Sequence, residues 1–399
     1  MLNFLKKNKN INFFPPLFKD GEKKIKTKIF VAVSGGVDSS VALALLQKKG
    51  YNVEGVFFRK FNPDKEKCQR EKSDAEKVCK QLNVPFHFLD LEQEYKDKIL
   101  KYFIESYRKG ETPNPDILCN KFIKFGAFLK YAEEKGADFI ATGHYARNIS
   151  LGNTKKKMFY FFTSAPYTNN TLGKKTKQLF FLTKAKDKDK DQTYFLAMLS
   201  QKQLSKSIFP LGDLKKPQVR RLAKKFNLLT ADKKDSQGVC FLGEKVKLND
   251  FLEKYIEKEE GNLLDEKGVV IGKHRGVSFY TIGQRYGFEI DPKFKSTNQK
   301  KLFVIKKDAK NNTVTVSEKH LEQKRIIIKN INLISNEISF QEVYQGRIRY
   351  RGELINVKVK LLPQGRLELN FDRAHRAVSS GQFVVFYDGD VCVGGGEII

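Results

Sequence analysis

"FVAVSGGVDSSVALALLQKKG", residues 30–50, sets a short apolar run against a Gly-Gly pair, an acid, two serines and an amphipathic stretch. Read as strand, tight turn and helix, it gathers backbone N–H groups in front of a helix N-terminus. Gly35 and Gly36 let the backbone approach an anion, the helix end favours negative charge, and Ser34, Ser39 and Ser40 add hydroxyls. Such a loop holds phosphate. It is not a Walker A loop, because no lysine follows the glycines, and it is not the G-x-G-x-x-G dinucleotide fingerprint. Taken alone, the Gly-Gly pair would also serve as a plain turn.

Working outward, short apolar runs alternate with helical periodicity from Lys28 to about Ala146. "KIFVAV", "YNVEGVFF", "VPFHFLDL" and "ADFIATGHY" read as strands; Ser39–Lys49, Ser73–Leu82, Tyr95–Arg108 and Phe122–Lys135 read as helices. That alternation predicts an α/β fold with a doubly wound parallel sheet, whose ligands bind beyond the carboxyl ends of the strands. Ser34–Ser39 and Thr142–Tyr145 both fall at such ends.

Farther along, residues 151–180 read as a long hairpin or mobile insertion, and "KPQVRRLAKKFNL" as a basic amphipathic helix. Gly-punctuated sequence from about Leu248 predicts a small central linker domain. Beyond Lys301, "KLFVIKKD", "NTVTVSE", "GRIRYRG", "LINVKVKLL", "RLELNFD" and "QFVVFYDGDVCVG" alternate as strands of a C-terminal antiparallel β-barrel. The expected division is a basic, disordered leader (1–27), a catalytic domain (28–243), a small central domain (244–300) and the barrel (301–399).

Lys and Arg number 75 against 46 Asp and Glu, a net charge of +29, which favours a polyanionic partner, nucleic acid first. An A+T-rich coding sequence would also enrich lysine. No apolar run approaches the roughly 20 residues that span a bilayer, so no membrane partner is expected. The first 28 residues lack the apolar segment of a secretory signal and also lack arginine. A cytoplasmic location is expected, with organellar targeting by the leader as the alternative.

Five cysteines in a long chain, with no C-x-x-C, make neither a disulfide framework nor a zinc site, so no permanent metal site is expected. Cys119 follows a Pro113/Pro115-stiffened entry, near a helix start that would favour its thiolate, with Asp116 three residues earlier as a candidate general base. The alternative is an ordinary core thiol. Cys240, in the polar "KKDSQGVCFLGE", could meet Cys119 only in space; a persulfide could then pass sulfur and leave a disulfide. Cys79 and Cys392 read as packing residues.

"AVSGGVDSS" resembles the signature of the PP-loop ATP pyrophosphatases, which split ATP between its α- and β-phosphates. Together with "TPNPDILCNKFIKFGAFLKYA", "GADFIATGHYAR", "KDQTYFL", "FPLGDLKKPQVRRLA", "KKDSQGVCFLGE", "YTIGQRYGF" and "GQFVVFYDGDVCVGGGEI", it makes the chain similar to the tRNA-specific 2-thiouridylases (MnmA type) from Phe30 to about Gly396. The resemblance implies ATP binding at Ala32, Val33, Ser34, Gly35, Gly36, Val37, Asp38 and Ser39, with adenine-side contacts at Phe58 and Gly143. It implies Cys119 as nucleophile, Cys240 as persulfide carrier and Asp116 as proton acceptor. Asn114, Pro115 and Asp116 would meet the target base; His144, Lys190, Asp191, Gln192, Arg349, Tyr350 and Gln382 would contact tRNA. Phe61 stands where the family often has tryptophan, and the leader matches nothing.

The function so implied is ATP-dependent 2-thiolation of the wobble uridine, position 34, of tRNA. Uridine O2 is adenylated, then persulfide sulfur displaces AMP. Mg²⁺ would come with ATP, in reach of Asp38, and sulfur from a carrier protein or cysteine desulfurase. A monomer is expected. The alternatives are another PP-loop adenylating enzyme, acting on tRNA or an amide-forming substrate, and a non-catalytic RNA-binding or sulfur-trafficking module.

Overall fold

The computed structural model describes residues 27–151, 179–234, 241–242, 246–294, 301–334, 343–376 and 378–399. Strands β1 (Lys28–Ala32), β2 (Asn52–Arg59), β3 (Phe86–Asp90) and β4 (Phe139–Ala141) are rich in aromatic and β-branched residues. The chain next forms an antiparallel pair, β5 (Arg147–Leu151) with β6 (Leu179–Thr183), before β7 (Ser207–Ile208) returns to β4. The sheet order is β3-β2-β1-β4-β7 and every pairing in it is parallel. Winding runs outward from β1 through β2 to β3, then reverses through β4 to β7. The reversal between β1 and β4 opens a crevice at their carboxyl ends.

Helix α1 (Val37–Lys48) leaves β1 through the phosphate-type loop and is buried along most of its length. Helix α2 (Lys65–Gln81) begins eight residues before the Ser73 start expected from periodicity, because the Asp64 carboxylate caps it by accepting from Lys67 N at 2.8 Å. The charged run "KEKCQREK" that precedes Ser73 hides this turn from a hydrophobicity reading. A similar early start occurs at Pro115. Helix Pro115–Leu118 runs through a π-helical stretch, Cys119–Ala127, into Phe128–Glu134, so the helix expected from Phe122 begins seven residues sooner.

The central sheet has β8 (Gly261–Leu264), β9 (Val270–His274), β10 (Phe288–Ile290), β11 (Phe303–Asp308) and β12 (Thr313–Ser317) in the order β10-β9-β8-β12-β11. Here the sequence reading needs correcting. It groups "KLFVIKKD" and "NTVTVSE" with the C-terminal barrel, yet β12 pairs with β8, so both belong to the central sheet. Alternation identifies a strand but not its partner.

The barrel is β13 (Glu322–Leu333), β14 (Val343–Arg347), β15 (Ile355–Leu362), β16 (Arg366–Arg376), β17 (Phe383–Asp388) and β18 (Val391–Ile398). Closure comes from antiparallel pairing of β13 with β18, and β6 with β5 extends outward from β18. The strands flanking the 151–180 segment therefore pair as a hairpin base on the barrel, not on the parallel sheet. Residues 152–178 and the 1–26 leader lie outside the described residues. A continuous apolar core contains Phe30 and Phe128 of the catalytic region, Tyr280 and Val304 of the central sheet, and Phe383 and Val385 of the barrel. Burial across all three regions fixes their seam.

Candidate active site

The loop at the β1–β4 crevice is organised by its own side chains. Ser34 N donates to Ser39 Oγ at 3.1 Å, Ser39 Oγ to Gly36 O at 3.1 Å, and Ser40 Oγ to Gly36 O at 2.8 Å. Gly35 has φ +70°, which favours glycine, and a Cβ there would strike Glu71 O. Gly143, just past β4, packs directly on the loop: a Cβ would lie 2.8 Å from Ser39 N and 2.9 Å from the Asp38 carbonyl carbon. Ala32, Val33, Ser34, Gly35, Gly36, Val37, Asp38, Ser39 and Gly143 thus form one cradle of the kind a phosphate occupies.

The lysine missing from the loop's own sequence arrives from elsewhere. Lys216, first residue of helix α3 (Lys216–Lys225), places Nζ 2.8 and 2.9 Å from the two Asp38 carboxylate oxygens. Tyr145 OH donates to Asp38 Oδ1 at 2.8 Å. Lys233 Nζ donates to Gly35 O at 2.9 Å and pairs with Asp74. Sequence reasoning missed both lysines, although "FPLGDLKKPQVRRLA" contains the first. In a chain of such high lysine content, only fold proximity distinguishes them.

Cys119 is 1% exposed, in the second turn after an Asn114 cap whose Oδ1 accepts from Ile117 N at 3.4 Å, with Pro115 opening the helix. It therefore stands at the fifth helical position, near the helix start as expected but just past the first turn, where the helix end acts more weakly. Asp116 is half-buried one turn before it. Cys240, the other candidate thiol, lies outside the described residues. The Cys119 helix borders this crevice at two points. Phe128 packs on Phe58 with ring centroids 5.5 Å apart, and Lys124 Nζ lies 3.5 Å from His144 Nε2. His144 is buried and its Nδ1 lies 2.8 Å from Thr142 Oγ1. Burial first, then the Lys124 charge, holds its pKa well below the usual histidine range, so the ring is neutral at pH 7.

The expected tRNA contacts divide into inward-facing and seam-facing residues. The buried Asp191 carboxylate accepts from Ala185 N at 3.0 Å and Thr193 Oγ1 at 2.9 Å, and Gln192 Oε1 accepts from Tyr145 N at 2.9 Å. These side chains brace the loop that carries Lys190. Arg349, Tyr350 and Gln382 lie at the seam. Tyr350 packs on Phe195, 4.5 Å between centroids, and Phe195 O accepts from Asn120 Nδ2 beside Cys119. Gln382 Nε2 donates to Thr112 O at 2.7 Å, and Thr112 N donates to Ser380 O at 2.8 Å. Thr112 Oγ1 also reaches Thr281 Oγ1 of the central region at 3.5 Å. Thr112 and Tyr194, whose hydroxyl donates to Phe383 O at 3.0 Å, are joints that stand inside the quoted motifs "TPNPDILC" and "KDQTYFL" but were not singled out there.

Among the described residues no cluster of three or more His, Cys, Asp or Glu could hold a metal, and no helix is long and apolar enough to cross a membrane. Asp38 nevertheless suits Mg²⁺ that arrives with phosphates, since that ion uses one or two carboxylates and takes its other ligands from substrate and water.

Three family profiles cover most of the chain: a tRNA methyl transferase HUP domain at residues 27–244, a tRNA methyl transferase PRC-barrel domain at 249–318 and an aminomethyltransferase beta-barrel domain at 323–398. The curated relatives carry a different label. Proteins from Bacillus thuringiensis (strain Al Hakam) and Bacillus anthracis, each named tRNA-specific 2-thiouridylase MnmA, are 40% identical over 94% of this chain and 95% of theirs. The protein of that name from Bacillus cytotoxicus is 39% identical over the same shares. A solved U34-tRNA thiolase from Methanococcus maripaludis aligns at 17% identity over 53% of this chain and 63% of its own, with TM-score 0.30, too loosely to carry an argument. Between the two labels, a phosphate cradle beside a buried cysteine fits thiolation better than methyl transfer. At 40% identity over nearly its whole length, the chain belongs to the tRNA-specific 2-thiouridylase family.

Proposed function

We propose that this protein is an ATP-dependent tRNA-uridine 2-sulfurtransferase that acts on the wobble uridine, position 34. The observation that carries the reading is the contact of the Cys119 helix with the crevice, through Phe128 on Phe58 and Lys124 beside His144. Thiol and nucleotide then share one site.

ATP binds with its terminal phosphates in the 34–39 loop and its adenine end toward Phe58 and Gly143. Asp38 is the residue that would hold Mg²⁺ on the protein side, and the ion would supply charge neutralisation for the phosphates. Uridine O2 attacks the α-phosphorus, the bond to the bridging oxygen breaks, and pyrophosphate leaves. Loop N–H groups and Lys216 stabilise the charge that builds on the leaving group. A donor protein loads Cys240 as a persulfide, whose outer sulfur adds to C2 while Asp116 accepts its proton. The Cys119 thiolate attacks Cys240 Sγ and breaks the S–S bond. The freed sulfur keeps that electron pair, the C2–O bond breaks, and AMP departs. A Cys119–Cys240 disulfide remains for an external thiol to reduce. His144, neutral and buried, contributes an uncharged surface at the base. Arg349, Tyr350, Gln382 and the Lys190 loop hold tRNA, and the net positive charge attracts it. A monomer in a reducing compartment, the cytoplasm, suits this chemistry.

The test incubates the protein with ATP, Mg²⁺, a sulfide source and tRNA, then measures 2-thiouridine by mass spectrometry. Sulfur incorporation at position 34 is expected. Background incorporation, with controls active, would sink the reading.

A further inference from the structure

An open cavity of about 570 Å³ lies at the seam; the mechanism above uses Arg349 and Gln382 of its lining for tRNA but gives no role to the Thr281–Tyr286 loop that faces them. Its walls come from all three regions: Thr112 before the Cys119 helix, the Thr281–Tyr286 loop of the central region, and Arg349 and Gln382 of the barrel. The volume falls within the usual range of small-molecule sites, about 300–1,000 Å³. Among the described residues the lining holds two arginines, hydroxyls and side-chain amides, and no acid.

The loop is held in shape. Gly283 N donates to Val304 O at 2.7 Å, and Val304 N donates to Gln284 O at 2.9 Å. Gln284 Oε1 accepts from Thr281 N at 3.1 Å while its Nε2 donates to Tyr286 O at 2.7 Å. This scaffold keeps Tyr286 at the cavity, 76% exposed. Arg285 beside it is exposed too. A stackable ring, guanidinium groups and amides around a polar cavity are what an unstacked RNA base and its phosphate require. Thr112 lies seven residues before Cys119. An extended dipeptide followed by about a turn and a half of helix bounds their separation at roughly 15 Å, near enough for a neighbouring nucleotide.

We infer that this cavity receives a nucleotide flanking the target uridine, stacked on Tyr286 with its phosphate on Arg285 or Arg349. The inference rests on the tRNA reading above and adds a second base pocket to it.

The test uses wild-type and Tyr286→Ala protein with a synthetic anticodon stem-loop RNA, each loop position beside the target replaced in turn by an abasic nucleotide. For wild type, one flanking abasic site should weaken binding about 5- to 100-fold, as base–aromatic stacking does. In Tyr286→Ala that loss should nearly vanish, and Tyr286→Phe should restore it. Arg285→Ala should weaken all the RNAs alike and reduce the salt slope of binding by about one. An undiminished abasic loss in Tyr286→Ala overturns the inference, as does the absence of any sensitive flanking position or of RNA binding by wild type. Thiolation by wild type is scored separately. Failure there removes the activity reading, while the binding cycle still decides the cavity.

Discussion

The 34–39 loop and the seam around Thr112, to which the proposed reaction gives phosphate and RNA respectively, are built by opposite means. Ser34–Ser39 is a single stretch whose geometry comes mostly from its own hydrogen bonds and from Gly143 packed against it. The seam has no stretch of its own; Thr112, Thr281, Gln382 and Arg349 meet only because three sheets dock. Phosphate is the same in every ATP, so its cradle can be local. An RNA loop is an irregular surface, and reading it takes walls from several directions. Even the loop, however, imports Lys216 from 178 positions away, so its charge is non-local although its shape is local.

The comparison breaks most sharply on the thiols. Cys119→Ser should lower 2-thiouridine formation by roughly a thousandfold or more, as loss of a nucleophile in a concerted unit does. Cys240→Ser should do the same. Both should still bind ATP and tRNA, and mass spectrometry of the tRNA checks them. If either variant retains full activity, the loop serves another adenylation and the seam serves something else. Next in size is Lys216→Ala, expected to slow tRNA-dependent pyrophosphate release about 10²- to 10³-fold, as removal of a transition-state donor does. Because the change leaves the Asp38 carboxylate without its cation, thermal melting is recorded alongside. Lys216→Arg keeps the charge and should recover part of the rate. An unchanged rate in Lys216→Ala would make the loop self-sufficient in charge as well as in shape.

A smaller effect is expected at Gly143→Ala. The added Cβ overlaps Ser39 N and pushes on the cradle, strain of about 1–3 kcal/mol. ATP titration of pyrophosphate release should show KM raised about tenfold or more, with tRNA binding unaltered. Gly143 also shows what sequence could reveal. Strand, turn and helix around residues 30–50 were legible because their signals are local, and Gly143 was legible through resemblance to the family. The tight packing that explains this glycine was not. Lys216 and Lys233 stand inside quoted motifs but could not be singled out, because lysine is everywhere in this chain. The helix start before Cys119 was read from Pro113 and Pro115, while periodicity alone picked up the helix only at Phe122. Strands β11 and β12 were recognised as strands and given the wrong neighbours, since a partner is chosen by docking. Resemblance marked Asp191 as a contact residue, and what sequence could not show is that its buried carboxylate also braces the Lys190 loop.

The last effect probes the seam through stability rather than activity. Lys307 lies in β11, and its Nζ donates to Tyr280 O at 2.7 Å beneath the Thr281–Tyr286 loop. Burial pushes its pKa down from 10.5 to about 8, opposed by the nearby Glu111 carboxylate. Between about pH 8 and 10.5 the unfolded chain retains a proton that the folded chain has released, so stability rises with pH across that window. A shift of this size corresponds to a gain on the order of 3 kcal/mol once the window has been crossed. Lys307→Met has no such proton and leaves the Tyr280 carbonyl without that donor. Its melting temperature at pH 7 is therefore less telling than its slope. Denaturant midpoints from pH 7 to 10 should rise more for wild type than for Lys307→Met, and equal slopes would refute the account. Glu111→Gln removes the opposing carboxylate, so the Lys307 pKa should fall further and the rise should begin at lower pH. That variant lies beside Thr112, and a shifted onset would tie the titration of the central sheet to the joint at the seam cavity.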